Sequence, residues 1–453
     1  MLPDELVIEN ILTRVPPAAV VRLRAVCRTW RSALTSDRFV CAHRDHSRAA
    51  TGDSQPEIVF FAPAAAGNAA AFYACKLAPD GSGAARELVS VDNLPVLPGG
   101  ELVMPTKPYH GLTLLCKAKS SVYYVFNLST GEHVALPPCA LADNHSPYGT
   151  DCVRSSTGLG FDPVAGEHKV VRLYQDLEKR PRCEVYSLGS GGRWRPCAGQ
   201  VPEHATKGLE GRPPVFVDGC FYWHMHTGRF SCVEARMFRT PELILSLSAG
   251  TEQFGWVHTP EELAPTVCHI ADLDGSLCAV VDHRLTADEY ELWTWSGAGA
   301  SSPPSWSRRC RISLASLGWP MRDELGLGIR MLPLCSSPEG KILLATSRHK
   351  VYAYDAGSNH VDRVFSMHEF VDVPSEPGLM LNIGLHEESV TGVRHCLAGG
   401  DGGLRMMMGR SGTVAKREGR PDRHPSGFNI TPGAVRWMIG LAMDHYNRYM
   451  RNN

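Results

Sequence analysis

Tyr123-Tyr124-Val125-Phe126-Asn127-Leu128-Ser129-Thr130-Gly131-Glu132-His133-Val134-Ala135-Leu136-Pro137 places an apolar run, a polar turn carrying a glycine, and a second apolar run end to end. Aromatic and β-branched residues suit a pleated, half-buried strand, and Ser-Thr-Gly-Glu has the composition of a turn. The stretch reads as a hairpin. The same unit recurs more loosely at residues 183–194, 243–256, 290–306 and 350–365, with a degenerate copy at 72–91. Equivalent apolar positions (73, 124, 186, 245, 292 and 352) lie 47 to 62 residues apart.

Complementary hairpins fill the gaps. Val215-Phe216-Val217-Asp218-Gly219-Cys220-Phe221-Tyr222-Trp223 turns at Asp218-Gly219, the stretch from Ile270 to Val281 turns at Asp274-Gly275, and residues 334–344 turn at Pro338-Glu339-Gly340. Asp-Gly between apolar runs is the strongest short-range hairpin signal. One hairpin of each kind makes a four-stranded sheet that cannot cover both of its faces, so its neighbours must. Arranging such sheets in a ring does this without long exposed edges. A period of roughly 50 residues with four short strands is that of a kelch-like β-propeller. Residues 57–397 are assigned to it.

The chain before the ring has a different period. Pro3 suits a first helical position, where a missing N–H costs nothing, and Asp4 and Glu5 complement the dipole of a first turn. Ile8, Ile11, Leu12 and Val15 follow at i, i+3, i+4, i+7, one face of a helix. Pro16-Pro17 stops that helix and can start another. Leu23, Val26, Cys27, Trp30 and Leu34 repeat the apolar stripe, with Arg22, Arg24, Arg28 and Arg31 between them and no lysine. A further short helix from Asp37 is expected to fade through His43 to Ser47. Residues 1–45 thus read as a small all-α unit and 46–56 as a linker. A unit of about 40 residues without disulfides or a metal is at the lower limit of independent folding, and short isolated helices are marginal in water. Its stripes need a partner surface, in this chain or on another protein.

Leu2-Pro3-x-x-Leu6, Ile11-Leu12-x-Arg14-x-Pro16 and Arg22-x-Arg24-x-Val26-Cys27-x-x-Trp30-Arg31-x-x-Leu34 resemble the F-box motif of plant proteins. Val20 and Val21 stand where that family usually has leucine, and the motif begins at Met1, without the upstream packing residues the family uses. The resemblance implies docking onto the Skp-type adaptor of a cullin-based (SCF-type) ubiquitin ligase. The positions matching the family's adaptor-facing residues are Leu2, Pro3, Leu6, Ile11, Leu12, Pro16, Leu23, Val26, Cys27 and Trp30. Some of them must form the motif's own core. A second resemblance lies in the ring. Gly158-Leu159-Gly160-Phe161-Asp162-Pro163, His168-Lys169-Val170-Val171-Arg172-Leu173 and Cys183-Glu184-Val185-Tyr186-Ser187-Leu188 are similar to the plant F-box-associated domain. Asp218-Gly219-Cys220-Phe221-Tyr222-Trp223 and Tyr290-Glu291-Leu292-Trp293 match its later blades, so the likeness spans about residues 105 to 365.

Composition limits the function classes. The 453 residues carry a formal net charge of −1, which gives no reason to expect nucleic acid or an anionic membrane as partner. No apolar run approaches the roughly 18 residues of a spanning helix, and the N-terminus lacks the pattern of a signal peptide. Fifteen scattered cysteines without a C-x-x-C pair suggest reduced thiols in the cytoplasm or nucleus. His224 and His226 are a conceivable metal pair, but no other ligands stand at recognisable spacing. Asp272-x-Asp274-Gly275 lacks the rest of a calcium loop and reads as a hairpin turn. No nucleophile elbow, zincin motif or phosphate-binding loop is present, and no cofactor is expected. Trp256, Trp306 and Trp319 are candidate partner anchors, or interblade packing.

Two functions follow. One is a non-catalytic ligase subunit that holds the adaptor by its helices and an unknown target protein by its propeller. The other is a propeller enzyme or carbohydrate-binding module with a helical cap. Beyond the ring, residues 398–430 are Gly- and Arg-rich and read as a flexible segment. Residues 431–453 carry Thr431-Pro432 and then Val435, Met438, Ile439, Ala442, Met443 and Tyr446, the pattern of an amphipathic helix.

Overall fold

The computed structural model describes residues 7–51, 56–63, 70–77, 83–91, 102–103, 107–117, 122–140, 155–189, 192–203, 205–206, 209, 213–225, 244–260, 263, 267–297, 304–326, 330–371, 383–393, 406–408, 413–414 and 416. Five four-stranded antiparallel sheets and one larger sheet form the six blades of a β-propeller.

Each hairpin seen in the sequence is half a blade. Blade 2 contains Leu102–Val103, Leu112–Lys117, Val122–Asn127 and His133–Ala135. Blade 3 contains Ser155–Asp162, Glu167–Gln175, Pro181–Ser187 and Arg195–Pro196. Blade 4 contains Val215–Val217, Cys220–His224, Ile244–Ser248 and Phe254–Val257. Blade 5 contains Val267–Leu273, Ser276–Asp282, Glu289–Ser296 and Ser305–Ser313. Blade 6 contains Met331–Ser336, Ile342–Thr346, Lys350–Asp355 and His360–Ser366. Both Asp-Gly turns have two residues at positive φ: 47° and 74° at Asp218 and Gly219, 54° and 77° at Asp274 and Gly275. These are the primed turns whose twist matches that of the flanking strands.

Blade 1 closes the ring. Glu57–Pro63, Ala70–Lys76 and Ala85–Val91 supply its second, third and fourth strands, and Ile383–Leu385 returns from the far end of the chain to pair with Glu57–Pro63 as the first. Its outer edge is extended: Met406–Met408 pairs with residues 89–91, and Thr413–Val414 with residues 85–86. The sequence pointed to a flexible segment over 398–430. These five residues are instead strands, because the outer strand of blade 1 offers unpaired N–H and C=O groups that a short extended run can satisfy. The helix expected over 431–453 lies outside the described residues.

Each pair of neighbouring blades encloses one apolar core. Between blades 3 and 4 it contains Leu173, Val185, Phe221, Trp223 and Leu247; between blades 6 and 1, Leu343, Val351, Phe60 and Tyr73. The glycines of Gly158-Leu159-Gly160 have a packing role. A Cβ on Gly160 would lie 2.4 Å from the Phe216 ring and 2.5 Å from the Phe221 ring, and one on Gly158 would lie 2.4 Å from Pro214. Blade 4 approaches blade 3 so closely that only glycine fits.

The N-terminal helices differ from the simple stripe. A π turn at Val7–Ile11 runs into a 3-10 turn at Leu12–Arg14, followed by α1 (Pro17–Leu23), α2 (Arg28–Leu34) and α3 (Asp37–Thr51). The stripe from Leu23 to Leu34 is not continuous. The chain turns at Arg24–Val26, and Cys27 takes an extended conformation in which its Sγ accepts the Trp30 N–H, 3.4 Å away, as the cap of α2. α3 does not fade at Ser47 but runs through Ala49 and Ala50, good helix formers, to Thr51.

Candidate functional site

The helical unit has an inner and an outer side. Leu12, Val20, Leu34 and Phe39 form its core, joined by Val390 from the segment after the ring-closing strand. His43 is buried beneath, with Nε2 donating to the Val15 carbonyl 2.9 Å away, and burial holds its pKa below the ordinary histidine value. Of the ten residues matched to adaptor-facing positions, Leu2, Pro3 and Leu6 lie outside the described residues. Leu12 belongs to the core. Leu23 and Trp30 are half-buried against that core, while Ile11, Pro16, Val26 and Cys27 face outward. Ile11 keeps 49% of its surface and Val26 62%. The exposed members of the set thus come from the end of the π turn (Ile11), the residue before α1 (Pro16), and the α1–α2 turn with the cap of α2 (Val26 and Cys27).

The same unit is fixed to the ring. Strands alternate in direction within a blade, so turns between strands one and two, or three and four, lie at one end of the ring. The remaining turns and the crossovers between blades lie at the other. The helices sit on the first end. Arg24 is the lock: Nη1 lies 2.8 Å from Glu132 Oε1, and Nη2 lies 2.8 Å from the Val390 carbonyl and 3.3 Å from that of Leu34. Arg44 Nη1 donates to His110 Nδ1 at 3.2 Å. Asn127 holds the receiving segment, its Nδ2 donating to the Ser389 and Thr391 carbonyls at 2.9 Å each. Arg24 alternates with outward-facing arginines in the sequence, and nothing in the spacing distinguishes it.

At the crossover end, α4 (Trp319–Glu324) connects blades 5 and 6. Trp319 is 77% exposed, and Leu285, on the turn between the second and third strands of blade 5, is 73% exposed. Their backbones are pinned. The Arg284 guanidinium donates to the carbonyls of Leu325, at 3.3 Å, and Gly326, and stacks 4.5 Å above the Tyr290 ring. Arg322 pairs with Asp288, and Lys350 with Glu324 at 2.7 Å. Trp306 is not comparably free: it packs 5.3 Å from Trp295 and donates to the His258 carbonyl at 2.9 Å.

Buried ionic groups in the ring are paired with one another. Lys169 Nζ lies 2.8 Å from Asp162 Oδ2 and 3.1 Å from Glu252 Oε1, and Arg195 pairs with Glu252. Burial would raise the Glu252 carboxyl, but Arg195, the Ala198 N–H and Lys169 hold it at about 2. Glu57, which accepts from His386 Nδ1 at 2.6 Å and from Arg86 at 2.9 Å, is held at about 2 against burial in the same way. Asp272 accepts the Gly275 N–H at 2.8 Å, as a hairpin turn requires. His224 is half-buried on blade 4 and His226 lies outside the described residues. Among the described residues, no three His, Cys, Asp or Glu side chains are grouped to hold a metal ion.

A small helical unit carried on a six-bladed propeller is the class that this geometry defines. Residues 88–370 match the F-box associated beta propeller domain and residues 1–41 the F-box domain. The chain belongs to the F-box proteins with an F-box-associated propeller. It is 22% identical to an F-box/kelch-repeat protein of Arabidopsis thaliana, over 78% of this chain and 77% of the relative. A putative F-box protein of the same plant is 23% identical over 80% and 86%. An F-box/LRR-repeat/kelch-repeat protein is 27% identical over 69% and 77%. Among solved structures, a chain of a nidogen/laminin complex superposes with a TM-score of 0.39 and 12% identity, covering 74% of this chain and 99% of its own; the likeness is too low to carry an argument.

Proposed function

We propose that this protein is the substrate-recognition subunit of an SCF-type ubiquitin ligase. Its F-box binds a Skp-type adaptor and, through it, a cullin; its propeller binds a target protein. The exposure of Ile11, Pro16, Val26 and Cys27 on a unit locked to the ring carries this reading, which takes them as one apolar face. Such a face is unfavourable in water and is suited to burial against another protein. Leu23 and Trp30 form its edge, and Leu12 supports it from the core; Leu2, Pro3 and Leu6 are adaptor contacts in this scheme by their match to the motif alone. Because the F-box occupies the turn end of the ring, the target docks at the crossover end, where Trp319 and Leu285 stand on a pinned platform. Exposed tryptophans on rigid supports are the usual anchors of protein interfaces. The protein performs no chemistry of its own in this scheme and needs no cofactor. It works in the cytoplasm or nucleus; no helix among the described residues is long and apolar enough to cross a membrane.

The test is affinity capture of the full chain from plant cells with the ligase stalled. Co-purification of adaptor and cullin, lost in Val26→Asp, is the expected result. Recovery of neither would overturn the reading, as would turnover of a glycoside or ester by the purified chain.

A further inference from the structure

We infer that the adaptor surface opposing the F-box is acidic, and that an outward arginine cluster on the F-box sets how fast the two associate. This deepens the reading proposed above and rests on it. Residues 7–47 contain seven arginines and three carboxylates, within a chain of net charge −1. Three of the arginines have partners. Arg24 holds Glu132 at 2.8 Å, Arg38 holds Glu9 at 2.6 Å, and Arg44 bonds His110. Arg14, Arg22, Arg28 and Arg31 are all exposed and have no side-chain partner among the described residues. Arg28 and Arg31 lie three apart on α2 and so share one side of it. In sequence the four are interspersed with the outward apolar residues: Arg14 just before Pro16, Arg22 just before the turn that carries Val26, Arg28 next to Cys27, and Arg31 next to the half-buried Trp30.

A protein surface fits this cluster better than a nucleic acid does. Non-specific attraction to a phosphate backbone draws on lysine and arginine alike through counterion release. Here lysine is absent and exposed arginines alternate in sequence with exposed apolar residues, and arginine with apolar side chains, not lysine, is what protein–protein interfaces enrich. Charges at the rim of an apolar patch act chiefly on the encounter, because they attract over about a Debye length and remain solvated once the complex forms. The apolar face accordingly determines how long the complex lasts and the arginines how quickly it forms.

The test is stopped-flow association of the full chain with a purified plant Skp-type adaptor from about 0.05 to 0.5 M salt. The wild-type association rate constant should fall about tenfold over that range, while dissociation changes little. The triple variant Arg22→Gln, Arg28→Gln, Arg31→Gln should associate about tenfold more slowly at the lowest salt and show a flat salt profile. The matching triple lysine variant should keep the wild-type rate, which separates charge from side-chain shape. A salt-independent wild-type rate, or a glutamine variant as fast as wild type, overturns this inference alone. No association at any salt overturns the ligase reading, and this inference with it. Steering by a short DNA duplex but not by the adaptor would identify the cluster as a nucleic-acid surface and overturn it too.

Discussion

Replacing Arg24 with methionine should release the F-box from the ring without unfolding either part. Methionine keeps an apolar stem in the space the arginine occupies and removes only the guanidinium. Three bonds disappear: those to Glu132 and Val390 at 2.8 Å and to Leu34 at 3.3 Å. They are unequal. Glu132 is one-third exposed and can rehydrate, so its ion pair contributes about 1 kcal/mol. The Val390 carbonyl belongs to a residue with 1% of its surface exposed, and orphaning a buried acceptor costs about 1–3 kcal/mol. A total of about 3 kcal/mol corresponds to a rise of roughly a hundredfold in the undocked population. Amide hydrogen exchange is the assay. Ser389, Thr391 and Val393, whose N–H groups bond Ser129, Ser389 and Glu132 side chains, should exchange about a hundredfold faster, together with α1, while blade 5 keeps its protection. Glu132→Gln should produce a smaller change, and adding it to Arg24→Met should do little more, because the two side chains share one interaction. Unchanged protection over residues 388–393 in a folded Arg24→Met protein would refute the lock.

Gly160→Ala should destabilise the propeller by about 1–3 kcal/mol, since its Cβ would drive into Phe216 and Phe221, and a melt equal to wild type would refute the packing role of this glycine. Acid should weaken the fold in two stages. Burial lowers His168 and His349 to about 4, so both resist protonation when folded, and the stability present above pH 6.5 is lost as pH falls from 6.5 to 4. Glu57 and Glu252, held at about 2, contribute stability above about pH 4.5 that is lost as pH falls from there toward 2. Glu57→Gln should flatten the second stage of a Tm-against-pH curve, and a Tm constant from pH 6.5 to 4 would contradict the first. Removing residues 398–453 strips Met406–Met408 and Thr413–Val414 from blade 1, so Tm should fall by a few degrees; an unchanged Tm would show that these strands contribute nothing to stability.

Hairpins were legible because their information is local. Asp218-Gly219 and Asp274-Gly275 dictate a turn type by φ alone, and strands such as Tyr123-Tyr124-Val125-Phe126 declare their preference in their own residues. Six repeats implied a ring, but the closing pair is a contact between residues 58 and 385 that no local signal announces. Met406-Met407-Met408 has no period of two and becomes a strand only because an open edge lies beside it. In the F-box, the stripe from Leu23 to Leu34 was periodic enough to suggest one face, yet the turn at Arg24–Val26 rotates Val26 out and Arg24 in. Side-chain direction after a turn depends on tertiary packing. The ten adaptor-facing positions were found by resemblance, and their division into core and surface needed burial.

The most direct measurement of the central claim is a calorimetric titration of a purified Skp-type adaptor into the full chain and into Val26→Asp. Val26 is outward-facing, so the variant should melt as wild type does, and a charge there leaves the core intact. The account predicts one adaptor bound per chain for the wild type and at least a hundredfold weaker binding for the variant, since an unpaired carboxylate would be buried at the interface. Equal affinity for both proteins, or no binding by a wild-type chain whose melt shows it folded, would contradict it.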